Sequence, residues 1–376
     1  IATDQNLQIC TLNNKKNNLK ILSHNFKGDS QILGVKLNKL KKTINVNLIG
    51  RIQLKNLMMA IFAAKKSNIS LEKILSVIPK IKPVEGRFEK VGEIKNRSRV
   101  ILDYAHTPDA LKICLLNLKE QFPNKKITAL FGCGGNRDQN KRAKMGKIVS
   151  KYSDEIYLTD DNPRFENPNT IRRDIKKGIR KKKIIEFANR AKAISKAIEF
   201  LKTGDILLVA GKGHEKTQDI GKRKIHFSDK EIILNAIKKK NSSLSDNLKL
   251  NILRETSNFK RLSSALSFNQ ARINSKEVKK NDIFFAIKGK KNDGNKFVEQ
   301  SFKKKASLAV VNKIQNNLIN KPQLKVKDTL KFLTDVSITF RKNIDTKIIA
   351  ITGSCGKTTL KELLGNSLKK ISKVSI

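Results

Sequence analysis

One short segment, TGSCGKTT at 352–359, has the residue types of a nucleotide phosphate-binding loop. Its two glycines, Gly353 and Gly356, permit a tight loop whose backbone N–H groups can converge on phosphate oxygens. Lys357 can offer a positive charge to the β and γ phosphates, and Thr358 can ligate Mg²⁺. The spacing, GxxGKT, is shorter than in the common GxxxxGK[ST] loop, so a turn before a helix is the alternative interpretation.

A second set of chemically capable residues lies in five segments upstream of this loop. Glycines in them allow close approach of a ligand, and arginines can hold carboxylate or phosphate groups through paired hydrogen bonds. Asp103 and His106 can hydrogen-bond a ribose or position a phosphate. Taken singly, Asp103 could instead cap a helix, and Arg164 could be a surface charge. The segments are GRFE (86–89), LDYAHTPDAL (102–111), FGCGGNRD (131–138), TDDNPR (159–164) and VAGKGHE (209–215).

Apolar runs alternate with helical patterns between residues 99 and 211, which predicts an open parallel α/β sheet. Ligands of such sheets bind at the carboxyl ends of the strands, and most of the five segments lie there. The sequence therefore predicts a binding site at this edge. Strands are expected at 99–105, 126–132, 155–159, 184–187 and 205–211, and helices at 108–121, 141–151, 168–180 and 190–201.

Outside this sheet the patterns are weaker. Composition changes around 238–258, where KKKNSSLSDNLKLNILRETSN predicts a linker. The apolar run KIIAIT at 347–352 predicts a buried strand that leads into the phosphate loop and a helix at 358–371. The other expected elements are a hairpin from 31–37 and 43–49, helices near 53–66 and 71–79, and a smaller α/β segment at about 257–344 with strands at 282–289 and 307–312.

Composition narrows the class of protein. The 376 residues include 80 Lys and Arg against 33 Asp and Glu, a net charge of +47, which suggests nucleic-acid binding first. The lysines, however, are spread along the whole chain among many asparagines, a bias that drift towards AT-rich DNA also explains. No apolar run approaches the ~18 residues of a membrane span, so a cytoplasmic protein is expected. The four cysteines lack CxxC spacing, which argues against a disulfide framework or structural zinc.

Together, the five segments closely resemble the Mur ligases of peptidoglycan synthesis. The resemblance is to the members that add meso-diaminopimelate to UDP-N-acetylmuramoyl-L-alanyl-D-glutamate, and it covers about residues 1–237, including LIGRIQLKNLMMAIFAA at 48–64. Residues from about 257, including 273–298 and the loop at 352–359, resemble the N-terminal part of the member that adds D-alanyl-D-alanine. The resemblance implies an α/β chain that joins the back of one ligase to the front of another, as a fragment of a fused or adjacent pair.

The same resemblance implies five parts of the chain. They are the end of a central ATPase-type domain (1–85), the Rossmann-like C-terminal domain of the first ligase (86–240), a linker (241–256), the N-terminal UDP-sugar-type domain of the second ligase (257–344), and the start of its central domain with the phosphate loop (345–376).

Residue roles follow from the resemblance position by position. DNPR is informative, because ligases of this type that take lysine usually carry another residue where Arg164 stands. Arg164 is expected to pair with the second carboxylate of diaminopimelate, and a substrate without it would leave a desolvated guanidinium unpaired. The implied ATP contacts are Asn56, Arg87, Asp103 and Tyr104 in the first ligase and Gly353, Gly356, Lys357, Thr358 and Thr359 in the second, with Thr358 a candidate Mg²⁺ ligand. The implied diaminopimelate contacts are Arg137, Asp161, Asn162, Arg164, Gly211 and Glu215, and the implied catalytic residues are Asp103, His106 and Lys357.

For the complete enzymes, the resemblance implies that the γ-phosphoryl group of ATP moves to a substrate carboxylate and that the incoming amine attacks the acyl phosphate. ATP and Mg²⁺ are the expected cofactors. The expected substrates are UDP-N-acetylmuramoyl-peptide, meso-diaminopimelate and, for the second part, D-alanyl-D-alanine. The chain by itself is expected to be inactive, because it holds parts of two sites. Two alternatives stay open: an unrelated P-loop NTPase and a basic nucleic-acid-binding protein.

Overall fold

The computed structural model describes residues 19–37, 40–257, 266, 268–289, 292–344, 348–353, 356–369 and 374. Contacts divide the chain into a large unit, Ile1–Lys342, and a small one, Asn343–Ile376. The described part of the large unit contains three sheets, a short hairpin and the helices that pack against the sheets.

The first sheet is antiparallel, with strands in the order β1 (Leu19–Lys27), β2 (Ser30–Leu37) and β3 (Leu40–Val46). Helices α1 (Arg51–Lys66) and α2 (Leu71–Val77) follow it. Alternate residues of β2, such as Leu33 and Val35, are buried in the core that the helices complete. This arrangement confirms the predicted hairpin and both helices, whereas β1 was not predicted.

The second sheet has six strands and forms the centre of the large unit. Strands β5 to β9 are parallel, and β4 pairs antiparallel with β5 at one edge. The spatial order is β4-β5-β9-β6-β7-β8. This sheet confirms the predicted open parallel fold. The strands are β4 (Glu89–Lys90), β5 (Arg99–Asp103), β6 (Ile127–Phe131), β7 (Glu155–Thr159), β8 (Ile184–Phe187) and β9 (Ile206–Ala210).

Helices cover both faces of this sheet. Five helices pack on this sheet. In sequence order, the first three of the five contribute side chains to one core and the last two contribute side chains to the other. Strands β6 and β9 lie between these cores and are buried along their whole length, which explains their uninterrupted apolar sequences. The helices are α3 (Pro108–Gln121), α4 (Asn140–Tyr152), α5 (Pro168–Lys176), α6 (Arg190–Phe200) and α7 (Asp229–Ser243), with a hairpin of β10 (Thr217–Asp219) and β11 (Lys224–His226) before α7.

Side-chain caps begin several of these helices. Thr107 accepts a hydrogen bond from the Ala110 backbone N–H, and Pro108 occupies the first turn of α3. Ser228 caps α7 in the same way. The connection from β5 to α3, residues 104–107, is therefore short, whereas the loops after β6, β7 and β9 that carry the other predicted segments are longer.

The third sheet is parallel and smaller, in the order β12 (Ala271–Arg272), β13 (Ile283–Phe285), β14 (Leu308–Val311) and β15 (Gln323–Lys325). It confirms the predicted smaller α/β segment. The helices of this part are α8 (Leu248–Ser257), α9 (Val298–Lys303) and α10 (Thr329–Lys342). No helix in the described part of the chain is long and apolar enough to cross a membrane.

The segment predicted as a linker, 241–256, is largely helical. It contains the end of α7 and most of α8. Leu250 and Leu253 of α8 belong to the core of the third sheet. The polar stretch before α8 predicted a linker, but these apolar side chains make the helix part of a packed core.

Glu255 of α8 also contacts two loops next to the second sheet. Its carboxylate accepts hydrogen bonds from Asn96 Nδ2 (3.1 Å) and from the Thr203 backbone N–H (2.7 Å). Burial raises the pKa of nearby Asp205 to about 6, and the negative charge of Glu255 adds to that rise. One helix therefore connects the loops beneath the second sheet with the core of the third.

In the small unit, α11 (Lys357–Lys369) forms where a helix was expected. The expected buried strand at 347–352 is wrong: residues 348–352 lie in no strand, and Ile348 and Ile349 are 66% and 60% exposed. A buried strand needs neighbouring strands, and none of the sheets described contains residues of this unit. Lys347, Ser354 and Cys355 lie outside the described residues.

We predict that Glu255→Gln lowers the free energy of unfolding by about 1–3 kcal/mol, because a carboxylate that accepts two hydrogen bonds is replaced by a weaker acceptor. The matched control is Glu299→Gln, which removes an exposed surface pair with Lys303 and should cost less than about 0.5 kcal/mol. Urea denaturation measures both. Equal midpoints for the two variants would contradict this role of Glu255.

Candidate active site

The carboxyl edge of the six-stranded sheet brings the five predicted segments together. The Gly211 backbone N–H donates to Asp103 O (3.1 Å), which joins the ends of β9 and β5. The Gly135 N–H donates to Asn162 O (2.9 Å), which joins the loops after β6 and β7. Segments that are far apart in sequence thus form one continuous surface.

Asp103 anchors the segment 86–89 to this edge. Its two carboxylate oxygens accept hydrogen bonds from the backbone N–H groups of Phe88 and Ala105, both at 2.7 Å. The Cys114 thiol donates to the same carboxylate at 3.3 Å. Burial raises the pKa of Asp103, and these hydrogen bonds limit the rise. The structure therefore shows a carboxylate that fixes the loop carrying Arg87.

Tyr104 is the centre of a cluster of planar side chains. The Arg87 guanidinium lies 4.5 Å from the centroid of its ring. The rings of His106 and His214 lie 4.6 and 5.4 Å away. Arg87 and His106 are exposed, so the cluster can present a cation and flat rings to a ligand. Asn56 lies on the exposed side of α1, apart from these contacts.

The loops after β6 and β7 carry two arginines with different surroundings. Arg164 Nη1 donates to Gly135 O (2.7 Å), and Nε lies 3.7 Å from Asp219 Oδ2. Its backbone has φ +52°, a conformation unusual for a residue with a side chain. Arg137 is exposed and forms no ion pair with any residue that the structure describes. Both guanidinium groups can bind carboxylates.

Two acidic residues lie at the same edge. Asp161 is buried, and its Oδ1 accepts a hydrogen bond from the Asn162 backbone N–H (2.8 Å). Glu215 Oε2 accepts from Asn162 Nδ2 (3.0 Å) and from Lys212 Nζ (2.9 Å). Burial alone would raise the pKa of Glu215, but these two hydrogen bonds hold it below its ordinary value. Glu215 is therefore a carboxylate at neutral pH, suited to an ammonium group.

Glycines permit the close packing of these loops. Gly211 has φ +119°, and a Cβ there would lie 2.5 Å from Asp161 Oδ2. Gly86 has φ +65°, and a Cβ there would overlap the His214 backbone nitrogen. At Gly86 the near atoms are backbone, so a side chain there would force the loops apart, whereas at Gly211 a side chain would displace the Asp161 carboxylate and strain the backbone.

Comparison with known proteins shows which family this region is similar to. Residues 86–213 match the family described as Mur ligase, glutamate ligase domain. This stretch is similar to the C-terminal domain of Mur ligases, and we call it the Mur ligase domain. The Mur ligase domain thus contains four of the five segments completely and the last one as far as Gly213.

Individual relatives are similar over a longer stretch. The UDP-N-acetylmuramoyl-L-alanyl-D-glutamate--2,6-diaminopimelate ligase of Rickettsia felis is 39% identical over 231 residues, 58% of this chain and 43% of the relative. The ligase of the same name from Leptospira interrogans is 43% identical over 218 residues, 57% of this chain and 42% of the relative. A solved structure of a ligase of that name has 31% identity and a TM-score of 0.49, covering 61% of this chain and 47% of that one. The chain spans somewhat less than half the length of these relatives.

Two features in and beside the Mur ligase domain were not predicted. Lys212 lies in the predicted segment VAGKGHE, whose sequence predicts no role for it, and the structure buries it completely. Arg190 and Asp229 form a fully buried ion pair, with Arg190 Nη2 also donating to Ala210 O (2.9 Å). The sequence signal that could have singled out Lys212 is its position between two glycines directly after a buried strand. The pairing of Arg190 with Asp229 left no signal in the sequence.

The candidate phosphate loop belongs to the small unit. The Lys357 amine donates to Gly353 O, and α11 begins at Lys357. The described residues of the loop are exposed: Thr352, Gly353, Gly356, Lys357, Thr358 and Thr359. Thr358 offers one hydroxyl, and among the described residues no group of three or more His, Cys, Asp or Glu side chains could hold a metal. These residues do not by themselves build a Mg²⁺ site.

We predict that Gly86→Ala destabilises the Mur ligase domain by more than the ~1 kcal/mol that a left-handed backbone costs a residue with a side chain, because its methyl group meets the 213–214 backbone. Gly28→Ala is the matched control. Gly28 has φ +56°, but a Cβ there has no neighbour within 4 Å. Thermal unfolding of both variants measures the difference. Equal losses would show that Gly86 contributes only its backbone conformation.

Proposed function

We propose that the chain contributes to an ATP-dependent amide-bond-forming ligase that adds meso-2,6-diaminopimelate to UDP-N-acetylmuramoyl-L-alanyl-D-glutamate. The names of the relatives support this proposal. So does the charge arrangement at the sheet edge, where Arg137 lies on the loop after β6, Asp161 and Arg164 on the loop after β7, and Glu215 on the loop after β9. Diaminopimelate carries two carboxylates and two ammonium groups. This surface offers guanidinium groups for the carboxylates and carboxylates for the ammonium groups.

The observation that carries the proposal is the placement of Arg164. Two contacts hold its side chain, the 2.7 Å hydrogen bond to Gly135 O and the 3.7 Å approach to Asp219, and it is 24% exposed. A held guanidinium pays little further entropy when it binds a carboxylate through paired hydrogen bonds. Arg164 is proposed to bind the carboxylate that diaminopimelate has and lysine lacks.

The remaining substrate contacts follow from charge. Asp161 and Glu215 would accept hydrogen bonds from ammonium groups, with Asn162 and Gly211 in the same surface. Arg137 would bind a second carboxylate. Together these groups would orient the amino acid, so that one amine faces the reacting carbon.

The reaction proposed is the usual one for such ligases. A carboxylate oxygen of the nucleotide-linked peptide attacks the γ-phosphorus of ATP, and ADP leaves. The amine then attacks the acyl carbon, inorganic phosphate leaves, and the amine loses a proton. Arg87, Tyr104 and His106 are proposed to meet ATP at the surface of the domain, with Asn56 contributing from α1. Asp103 would act by holding the Arg87 loop.

For the rest of the chain, we propose that residues 257–376 are the start of a D-alanyl-D-alanine-adding ligase. The resemblance of 273–298 and of the phosphate loop supports this. The triphosphate of ATP would bind to the phosphate loop, because backbone N–H groups and a lysine at a helix start favour phosphate. The residues concerned are Gly353, Gly356, Lys357, Thr358 and Thr359.

The alternative function is nucleic-acid binding. Retention of the chain on DNA with a steep dependence on salt would favour that alternative.

We predict that Arg164→Ala weakens binding of meso-diaminopimelate by about 10²-fold, the loss expected for a partly desolvated charge pair, and changes lysine binding far less. Isothermal titration calorimetry on the 376-residue chain measures both. Arg173→Ala, an exposed arginine on α5, is the matched control and should bind as the wild type does. Equal losses for the two amino acids would show that Arg164 is structural.

We predict that Lys357→Ala weakens binding of ATP measured with Mg²⁺ by about tenfold or more, because one positive charge facing the phosphates is removed, and leaves diaminopimelate binding unchanged. Lys369→Ala, an exposed lysine at the far end of α11, is the control. Arg164→Ala should show the reverse pattern. ATP binding that is unaffected by Lys357→Ala would show that 352–359 is an ordinary turn before a helix.

A further inference from the structure

Lys212 is a fully buried lysine at the candidate active site. Its side chain is 0% exposed. An ammonium group removed from water is stable only when its donors are satisfied. Three acceptors surround Nζ: Asn162 Oδ1 at 2.9 Å, Glu215 Oε2 at 2.9 Å and Thr217 O at 2.7 Å. Lys212 is therefore a charged group whose three N–H donors are all used inside the protein.

Lys212 fixes the orientation of the Asn162 amide. Asn162 Oδ1 accepts from Lys212 Nζ and also from the Asp219 backbone N–H (3.0 Å). Because both neighbours are donors, the oxygen of the amide must face them. The amide nitrogen then faces Glu215 Oε2 at 3.0 Å. Lys212 and the Asp219 backbone N–H together set the direction of the Asn162 amide, and Lys212 alone also contacts Glu215 directly.

Glu215 remains accessible to a ligand, since its side chain is 30% exposed. Lys212 is not, so it cannot touch a substrate. We infer that Lys212 is a positioning residue for the amino-acid substrate: it holds Asn162 and Glu215 in the arrangement that binds an ammonium group of diaminopimelate. This inference rests on the proposed function and adds a residue to it.

The charge of Lys212 has a second effect. The groups that face Glu215 are Lys212 from its own loop, Asn162 from the loop after β7, Tyr104 from the loop after β5, and Arg190 from α6. Lys212 contributes both a hydrogen bond and a positive charge that lower the pKa of Glu215. Its removal should raise that pKa, because the burial that opposes ionisation remains.

The test compares Lys212→Met with Lys216→Met in the full chain. Lys216 lies in the same loop but is exposed, so the control removes the same charge without the buried contacts. In the absence of ligand, ¹³C NMR titration of the Glu215 carboxyl should show a higher pKa in Lys212→Met and an unchanged pKa in Lys216→Met. A loss of structure alone would not produce a shifted titration in a protein that still unfolds cooperatively.

Calorimetry with meso-diaminopimelate provides the second measurement. Lys212→Met should bind at least about tenfold more weakly than the wild type, as for other residues that orient ligand-binding side chains, and the acid limb of binding should move to higher pH. Lys212→Gln, which keeps a donor but no charge, replaces the methionine variant if that variant does not fold.

Each outcome separates this inference from the proposed function. If the wild type binds diaminopimelate and Lys212→Met binds it equally tightly, the inference is wrong and the proposed function stands. An unchanged Glu215 pKa in Lys212→Met overturns the inference whether or not a ligand binds. A wild-type chain that binds no diaminopimelate overturns the proposed function and, with it, the role of Lys212.

Discussion

The buried ion pair of Arg190 and Asp229 determines where the carboxyl edge of the six-stranded sheet lies. Both side chains are 0% exposed, and Arg190 binds the two carboxylate oxygens at 2.8 and 2.7 Å. The same guanidinium binds Ala210 O, the last carbonyl of β9. One side chain therefore fixes the starts of α6 and α7 and the point at which β9 ends. Loss of either partner would leave an uncompensated buried charge, at a cost of about 3–5 kcal/mol.

The candidate site is built outward from that pair as a series of alternating charges. Lys212, two residues after Ala210, lies between Asn162 and Glu215. Arg164 lies beside Asp219, and Asp161 lies under Gly211. Each buried charge therefore has an opposite charge or several hydrogen bonds close by, which makes such a dense arrangement stable. The site therefore contains charges of both signs, although the chain as a whole has a net charge of +47. It can discriminate between ligands by the placement of their charges.

Much of the fold could be predicted because buried strands and capped helices leave local signals. The strands at 155–159 and 184–187 and the helix at 108–121 match the structure at both ends. The run at 347–352 is equally apolar, but a strand also needs neighbours to pair with, which one segment cannot reveal. The helix α8 was not predicted, because the polar stretch before it suggested a linker. Leu250 and Leu253 pack against residues of the third sheet, which comes later in the sequence.

The site could be predicted as a set of segments but not as a network. Glycines and charged residues at strand ends indicated the five segments, and parallel strand ends must lie at one edge. The burial of Lys212 depends on Asn162, 50 residues away, and the pairing of Arg190 depends on Asp229, 39 residues away. Contacts of that separation follow from strand order, which the sequence of any one segment does not contain.

We propose that this edge recognises an amino acid by two carboxylates and its ammonium groups. Calorimetric titration of the wild-type chain with meso-diaminopimelate and with lysine, under identical conditions, tests it most directly. The account predicts saturable binding of one diaminopimelate and lysine binding weaker by about 10²-fold, because lysine leaves a guanidinium unpaired. Equal affinity for the two amino acids, or no binding of diaminopimelate, would contradict it.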